Sequence, residues 1–150
     1  MELEFECTLD VEVGPVLMLP EGPAGTRIIV PVNGGSVTGT RINGVVVGPG
    51  GDWLTVGPEG WGRIDVRLQI QTDDGALLCA TYGGLLEMNE RAVAAMLSGD
   101  DETDFDEQYF RTSLRLEAAD ARYEWVNRTV FVGQGRVTRA GVAYDVYRLT

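Results

Sequence analysis

The first thirteen residues alternate strictly between polar and apolar side chains, and this pattern constrains the fold more than any other feature of the chain. The polar set is Glu2, Glu4, Glu6, Thr8, Asp10 and Glu12, and the apolar set is Leu3, Phe5, Cys7, Leu9, Val11 and Val13. Successive side chains of a β-strand point to opposite faces, so this segment predicts a strand with one buried face and one solvated face. The segment 63–72 repeats the alternation. Such strands are typical of antiparallel sheets that cover a core with one face.

Turn-forming residues divide the rest of the chain into further strands. The patterns predict strands over 26–32, 36–47, 76–82, 108–117, 128–132 and 142–149, separated by breakers at 20–23, 33–35, 48–51, 73–75 and 133–135. One segment, 89–97, has helical spacing of its apolar residues, with Asn89 placed to cap its start and Ser98-Gly99 placed to end it. The chain therefore alternates many strands with short links and one short helix.

These elements predict an all-β, mainly antiparallel fold in a single domain over 1–150. A chain of 150 residues is long enough for one hydrophobic core and short for two ordinary domains. A sheet that closes on itself leaves no exposed edge strands, which otherwise invite aggregation. We therefore expect a closed or nearly closed β-barrel of about 8–10 strands with one short helix.

Composition and charge exclude several classes of function. The net charge of −11 repels phosphate backbones and anionic lipid surfaces, so neither nucleic acid nor membrane is an expected partner. The chain has no histidine, which removes Ser-His and Cys-His catalysis and the commonest transition-metal ligand. It also has no lysine, which removes Schiff-base chemistry and lysine-dependent phosphate loops. We expect no cofactor and no metal, and the available chemistry is that of carboxylates, tyrosines, arginines and backbone groups.

The two cysteines and the N-terminal segment indicate where the protein resides. Cys7 and Cys79 are both embedded in apolar strand patterns, which is typical of buried free thiols in a reducing compartment. The first residues lack the basic start and apolar run of a signal peptide, and no stretch is apolar enough for a transmembrane helix. The cytoplasm is the expected location.

Asp52 and Trp53 are the first candidate site residues, because they place a carboxylate and an indole directly after the flexible turn 48–51. The alternative is an ordinary loop in which Asp52 caps its own turn.

Tyr109 and Arg111 are the second pair. They are two residues apart and so share one face of a strand, where a phenol and a guanidinium could meet one ligand. A solvent-exposed ladder on that face is the alternative.

A third candidate group lies at 123–127. Tyr123, Trp125 and Asn127 would share one face if this segment were extended. Trp125 could equally belong to the core, with its N–H satisfied by a neighbour, and Asn127 could hold a turn.

In order along the chain, these landmarks resemble the domain family DUF3237, also called UPF0311. The resemblance rests on Asn33-Gly34-Gly35 with Gly39, Gly50-Gly51-Asp52-Trp53, Asp73-Asp74-Gly75, Tyr82-Gly83, Tyr109-Phe110-Arg111, Tyr123 through Trp125 and Asn127 to Phe131-Val132-Gly133, and Val142, Tyr144 and Tyr147. It covers nearly the whole chain. It implies a compact antiparallel β-barrel, often associated into homodimers or larger assemblies, with a function that is unassigned for most members. It also gathers the candidate residues into one motif set.

Three functional hypotheses follow from this set. The first is a cofactor-independent lyase, isomerase or cyclase that acts on a small, largely apolar carbonyl compound bound in the barrel mouth. In it Asp52 moves a proton while Tyr109 and Arg111 stabilise the developing oxyanion, and the ligand is contacted by Trp53, Tyr82, Trp125 and Asn127. The second is a binding or carrier barrel that holds the same class of compound without transforming it. The third is a purely structural barrel, and the residues alone do not separate the three.

Overall fold

The computed structural model describes residues 1–150 as nine β-strands and two short helices. The strands are β1 (Leu3–Val13), β2 (Leu17–Gly22), β3 (Gly25–Gly39), β4 (Gly44–Val56), β5 (Trp61–Thr72), β6 (Leu77–Glu87), β7 (Phe110–Ala118), β8 (Phe131–Thr138) and β9 (Gly141–Leu149). Helix α1 spans Glu90–Ser98, and a 3-10 helix spans Ala121–Arg128. Neither helix has the length and apolar character needed to span a membrane.

Eight of the strands close into an antiparallel barrel. The neighbour order is β1-β9-β8-β7-β6-β5-β4-β3, and β1 pairs with β3 to complete the ring. Strand β2 pairs only with the first half of β3 and adds a short flap at one end. The predicted fold class, a closed antiparallel barrel of about 8–10 strands, is confirmed, and the structure has two short helices where one was expected. Helix α1 is confirmed as well, with Asn89 accepting a hydrogen bond from the Ala92 N–H at 2.9 Å and Gly99 as the left-handed C-cap.

The two ends of the barrel differ. At the closed end, where β7 ends and β8 begins, the interior is filled by fully buried side chains such as Leu68, Leu78 and Phe131, and the 3-10 helix covers it with Tyr123 and Val126. At the other end, which we call the mouth, β2, α1 and the β8–β9 hairpin surround a hollow interior. The barrel interior is therefore packed with side chains at the closed end and hollow at the mouth.

A β-bulge turns one acidic side chain into the closed end. The register of β1 with β9 shifts between Phe5 and Cys7, so Glu6 is the extra residue of the bulge. Glu6 is 1% exposed although the alternation predicts it on the wet face. Its carboxylate forms ion pairs with Arg41 and, at 3.5 Å, with Arg148. The bulge thus corrects the predicted orientation at this residue.

Several predicted turns are continuous strand instead. The segments 33–35 and 48–51 lie inside β3 and β4, where register shifts mark the irregularity that the glycines permit. Gly35 has φ +137°, and an added Cβ would lie 2.0 Å from the Asp10 carbonyl oxygen, so its role is close strand approach and not a turn. Two further differences are strand β2, which was not expected, and the 3-10 helix at Ala121–Arg128. The extended conformation in which Tyr123, Trp125 and Asn127 would share one face is therefore not adopted.

Candidate functional site

A cavity of about 480 Å³ occupies the mouth half of the barrel. Of the 27 residues that line it, 22 are apolar, contributed by strands, by α1 and by the β8–β9 hairpin. Every methionine of the chain other than Met1 lies on its wall, namely Met18, Met88 and Met96. Flexible thioethers allow such a wall to adapt to the shape of a ligand. The volume is in the range of small-molecule sites.

Asp52 is the single carboxylate on the cavity wall. Strand alternation in β4 directs Asp52 and Leu54 inward and Trp53 outward. Pairing of β4 with β5 is interrupted between Asp52 and Thr55, and the Asp65 N–H donates to Oδ1 of Asp52 at 2.9 Å. This bond fixes the carboxyl group and leaves its other oxygen free to meet a ligand.

The apolar surroundings change the acidity of Asp52. Burial raises the pKa of its carboxyl group from 3.8 to about 6; the hydrogen bond from the Asp65 N–H works in the opposite direction, and the Asp65 carboxylate adds a small further increase. No guanidinium forms an ion pair with Asp52 to hold it ionised. A carboxyl group with a pKa of about 6 can both accept and return a proton near neutral pH.

Two phenols share the cavity with Asp52. The rings of Tyr82 on β6 and Tyr144 on β9 pack edge-to-face with centroids 5.4 Å apart, and Phe110 packs against Tyr144 at 5.2 Å. The two hydroxyl groups do not form a hydrogen bond with each other, and the Tyr82 hydroxyl is buried without any hydrogen-bond partner. Burial raises the pKa of both phenols, and the negative charge of Asp52 raises it further. Both hydroxyls therefore stay protonated and available as donors.

Tyr109 and Arg111 lie on the outer surface of the barrel, away from Asp52. Phe110 faces the cavity, so strand alternation places its two neighbours outside. The Tyr109 ring packs on Trp61 at 5.6 Å, and Arg111 lies over Tyr109 while donating to the Phe110 carbonyl at 3.0 Å. This corrects the expected grouping with Asp52 and corresponds to the surface alternative. Trp53 is likewise outside, with 38% of its surface exposed.

Trp125 and Asn127 lie at the closed end, because the segment that carries them is helical and not extended. The Asn127 side chain accepts from the Ala118 N–H and donates to the Ala118 carbonyl, both at 2.8 Å, and so terminates β7. Trp125 packs on Phe131 and beneath the Arg41 guanidinium. Neither residue reaches the cavity. Of the seven predicted site residues, Asp52 and Tyr82 are the two that the structure brings together.

Sequence reasoning missed Tyr144, Phe110 and the apolar walls contributed by β2 and α1. The sequence did indicate the orientation of Tyr144, since Val142, Tyr144 and Val146 alternate along β9 and so share its inward face. Nothing in the sequence indicated that β2 and α1 line the cavity, because this depends on how the elements pack around the mouth. The side chains form no group of three or more His, Cys, Asp or Glu suited to hold a metal ion. The one cation on the cavity wall is Arg139.

Comparison with known proteins agrees with this architecture. A β-barrel-like protein of Acinetobacter baumannii superposes with a TM-score of 0.84 at 32% identity, covering 99% of this chain and 96% of that one. A conserved protein of unknown function from Rhodopseudomonas palustris, named a UPF0311 protein, gives a TM-score of 0.88 at 27% identity, covering 99% and 97%. An enzyme from Penicillium herquei shares the fold at a TM-score of 0.75 and 19% identity, covering 99% and 94%. The family described as protein of unknown function (DUF3237) matches residues 1–149, and the chain belongs to that family.

Proposed function

We propose that this protein is a cofactor-independent lyase, isomerase or cyclase acting on a small, largely apolar carbonyl compound bound in the mouth of the barrel. The observation that carries the proposal is the single carboxyl group, with a pKa raised to about 6, in an apolar cavity beside buried phenols. A perturbed titratable group in the main cleft is a common mark of a catalytic site.

The proposed reaction starts with proton transfer from carbon to Asp52. The ionised carboxylate removes a proton from the carbon next to the carbonyl group, and the C–H electron pair becomes the C=C bond of an enolate. The former C=O pair moves to oxygen as a developing oxyanion. The Tyr82 and Tyr144 hydroxyls donate hydrogen bonds to this oxygen in a cavity with mainly apolar walls, where such donors contribute most.

The three reaction classes differ in what happens to the enolate. In an isomerase, Asp52 returns the proton to another carbon; in a lyase, the enolate expels a leaving group from the β-carbon, and Asp52 can protonate that group. In a cyclase, the enolate carbon attacks a second carbonyl carbon of the same molecule, the C=O pair of that group moves to its oxygen, and Asp52 protonates the resulting alkoxide. Each route returns Asp52 to its starting state, so none requires an oxidant, a reductant or a cofactor.

The phenols take the role that sequence reasoning gave to Tyr109 and Arg111. A neutral phenol in an apolar cavity carries no charge that would lower the pKa of Asp52, whereas a guanidinium would. The base therefore keeps the raised pKa that lets it exchange protons near neutral pH.

A carrier or binding protein is the second candidate, favoured by the apolar wall and its three methionines. Such a wall can hold ligands of several shapes without promoting a reaction. In a carrier, Asp52 would orient a ligand hydroxyl group and would transfer no proton.

The test is deuterium exchange at carbon, since it requires only the first step. The protein is incubated in D₂O with 2-tetralone and with acetophenone, and loss of the α-proton signal is followed by NMR. Asp52→Asn should lower the exchange rate by about 10² to 10⁴, because it preserves shape and removes the base. The matched control is Glu117→Gln, which removes an exposed carboxylate from the outer face of β7 and should leave the rate unchanged.

The phenols are tested in the same assay. Tyr82→Phe and Tyr144→Phe should each lower the rate by about 10 to 10², since one oxyanion donor is lost and the other remains. Exchange that is absent in the wild type while both ketones bind would assign the carrier function. Exchange that is equally fast in Asp52→Asn would remove the proposed base.

A further inference from the structure

Arg139 is the one cationic residue on the wall of the ligand cavity. It lies at the tip of the hairpin that joins β8 to β9, where the mouth opens to solvent, and its side chain is exposed. Asp52, on strand β4, is the one carboxylate on this wall. The cavity therefore carries one acidic and one basic residue among mainly apolar neighbours.

The guanidinium of Arg139 has no acidic partner. Eight of the twelve arginines form ion pairs with carboxylates, namely Arg41, Arg63, Arg67, Arg91, Arg122, Arg128, Arg136 and Arg148. Two carboxylates close to Arg139 pair with other arginines, Asp101 with Arg91 at 2.6 Å and Glu102 with Arg136 at 3.4 Å. Asp10 and Glu12 line the same outer depression as Arg139 without forming an ion pair with it. Arg139 is therefore a cation among carboxylates, but none of them forms an ion pair with its guanidinium, which remains free to contact a ligand.

From this placement we infer that Arg139 binds an anionic group, such as a carboxylate, at the outer end of an amphipathic ligand. The inference rests on the proposed function in one respect, that the mouth cavity is the ligand site. The apolar body of the ligand fills the cavity and presents its carbonyl group to Asp52, while the anion stays at the mouth. An anion placed there keeps part of its hydration, whereas one buried deeper would lose it. A planar guanidinium can contact two oxygens of the anion at once.

Two fluorescent compounds that differ by one charged group provide the test. 8-Anilinonaphthalene-1-sulfonate and N-phenyl-1-naphthylamine have the same apolar rings, and only the first carries an anion. Each is titrated into the wild type, into Arg139→Gln and into Arg115→Gln, and Kd is measured by fluorescence. Arg115 is the matched control because its side chain also has no ion pair and it lies on the outer face of β7.

We expect Arg139→Gln to weaken binding of the sulfonate about tenfold and to change binding of the uncharged compound less than twofold. Arg115→Gln removes the same charge from the protein and should leave both compounds within twofold. Arg139→Lys should recover part of the sulfonate affinity, since it restores the charge without the planar contact. Raising salt should weaken sulfonate binding in the wild type more than in Arg139→Gln. The uncharged compound should displace the sulfonate, because both occupy the same cavity.

The titrations distinguish failure of the inference about Arg139 from failure of the proposed function. If both compounds compete for one site and Arg139→Gln affects them equally, the inference about Arg139 is wrong and the ligand cavity stands. Equal losses of sulfonate affinity in Arg139→Gln and Arg115→Gln would also overturn it, because the effect would then come from net charge. If neither compound binds, the mouth cavity is not a site for apolar ligands, and the proposed function falls together with the inference.

Discussion

The two ends of the barrel each hold one inward-facing carboxyl group, and their surroundings are opposite. At the closed end Glu6 is fully buried and forms ion pairs with Arg41 and Arg148, among buried side chains of the core. At the mouth Asp52 borders a cavity of about 480 Å³, is held by one backbone N–H and has no cationic partner. The same chemical group is thus paired with cations at one end and left without a cationic partner at the other.

The difference between Glu6 and Asp52 shows that the effect of burying a carboxyl group depends on whether it gains a cationic partner. A buried carboxylate that receives several charge-assisted hydrogen bonds joins distant segments of the chain. A carboxyl group that loses water without gaining a cation has its pKa raised and exchanges protons more readily near neutral pH. On this reasoning we place chemistry at the mouth and a structural role at the closed end.

The largest expected effect that tests this contrast is the pH dependence of proton exchange. The base form of Asp52 is the ionised one, so exchange should rise with pH through about 6 and level off above pH 7. Between pH 7 and pH 4 the ionised fraction falls about 100-fold, and the exchange rate of 2-tetralone measured by NMR should fall equally. Because the pKa values of Tyr82 and Tyr144 are raised, the plateau should extend beyond pH 9. A midpoint near 3.8 would mean that the cavity does not desolvate Asp52.

The closed end is tested by Glu6→Gln, which removes the shared partner of Arg41 and Arg148. We expect it to lower the free energy of unfolding by about 2 to 3 kcal/mol in urea titrations. The loss is below that for a fully buried pair because the two arginine side chains are 40% and 31% exposed and can regain water. Glu4→Gln is the control, since Glu4 pairs with Arg148 at the surface, and it should cost less than about 1 kcal/mol. Equal effects of the two variants would contradict a structural role for Glu6.

In the same urea titrations, Asp52→Asn should raise the free energy of unfolding, whereas Glu6→Gln lowers it. The folded-state pKa of Asp52 is higher than the unfolded-state value, so ionisation destabilises the fold above pH 6 and has no effect below about pH 4. The shift corresponds to about 3 kcal/mol at most, and burial of the asparagine amide offsets part of it. We expect Asp52→Asn to be more stable than the wild type by about 1 to 2 kcal/mol at pH 8, with the gain vanishing as pH falls toward 4. A destabilised variant at pH 8 would show that the carboxylate is compensated after all.

The smallest effect concerns Arg41, whose guanidinium centre lies 3.6 Å from the centroid of the Trp125 ring. Arg41→Lys retains the charge beside Glu6 and loses both the planar contact and the stacking. We expect a loss of about 1 kcal/mol, seen as a decrease of about 2–4 °C in Tm by calorimetry. Arg128→Lys is the control, because its ion pair with Glu124 is solvent-exposed, and its Tm should stay within about 1 °C.

How much could be predicted depends on the range of the interaction involved. The barrel, the α1 cap at Asn89 and the inward orientation of Tyr82 follow from local periodicity and capping, which a sequence displays directly. The reversal of Glu6 does not, because it requires a register shift between β1 and β9, two strands from opposite ends of the chain. The outward orientation of Tyr109 and Arg111 was indicated by alternation, although the family resemblance grouped them with Asp52.

The sequence by itself determined that this chain forms an antiparallel barrel and that its chemistry must use carboxyl groups, phenols and guanidinium groups, because period-two patterning and the absence of histidine and lysine are properties of the chain. Tertiary structure alone decided which of those groups share a cavity. Asp52, Tyr82 and Tyr144 come from β4, β6 and β9, and they meet because the ring closes between β1 and β3. The raised pKa of Asp52 has the same origin, since desolvation depends on which side chains surround a carboxyl group in space and not on its neighbours along the chain.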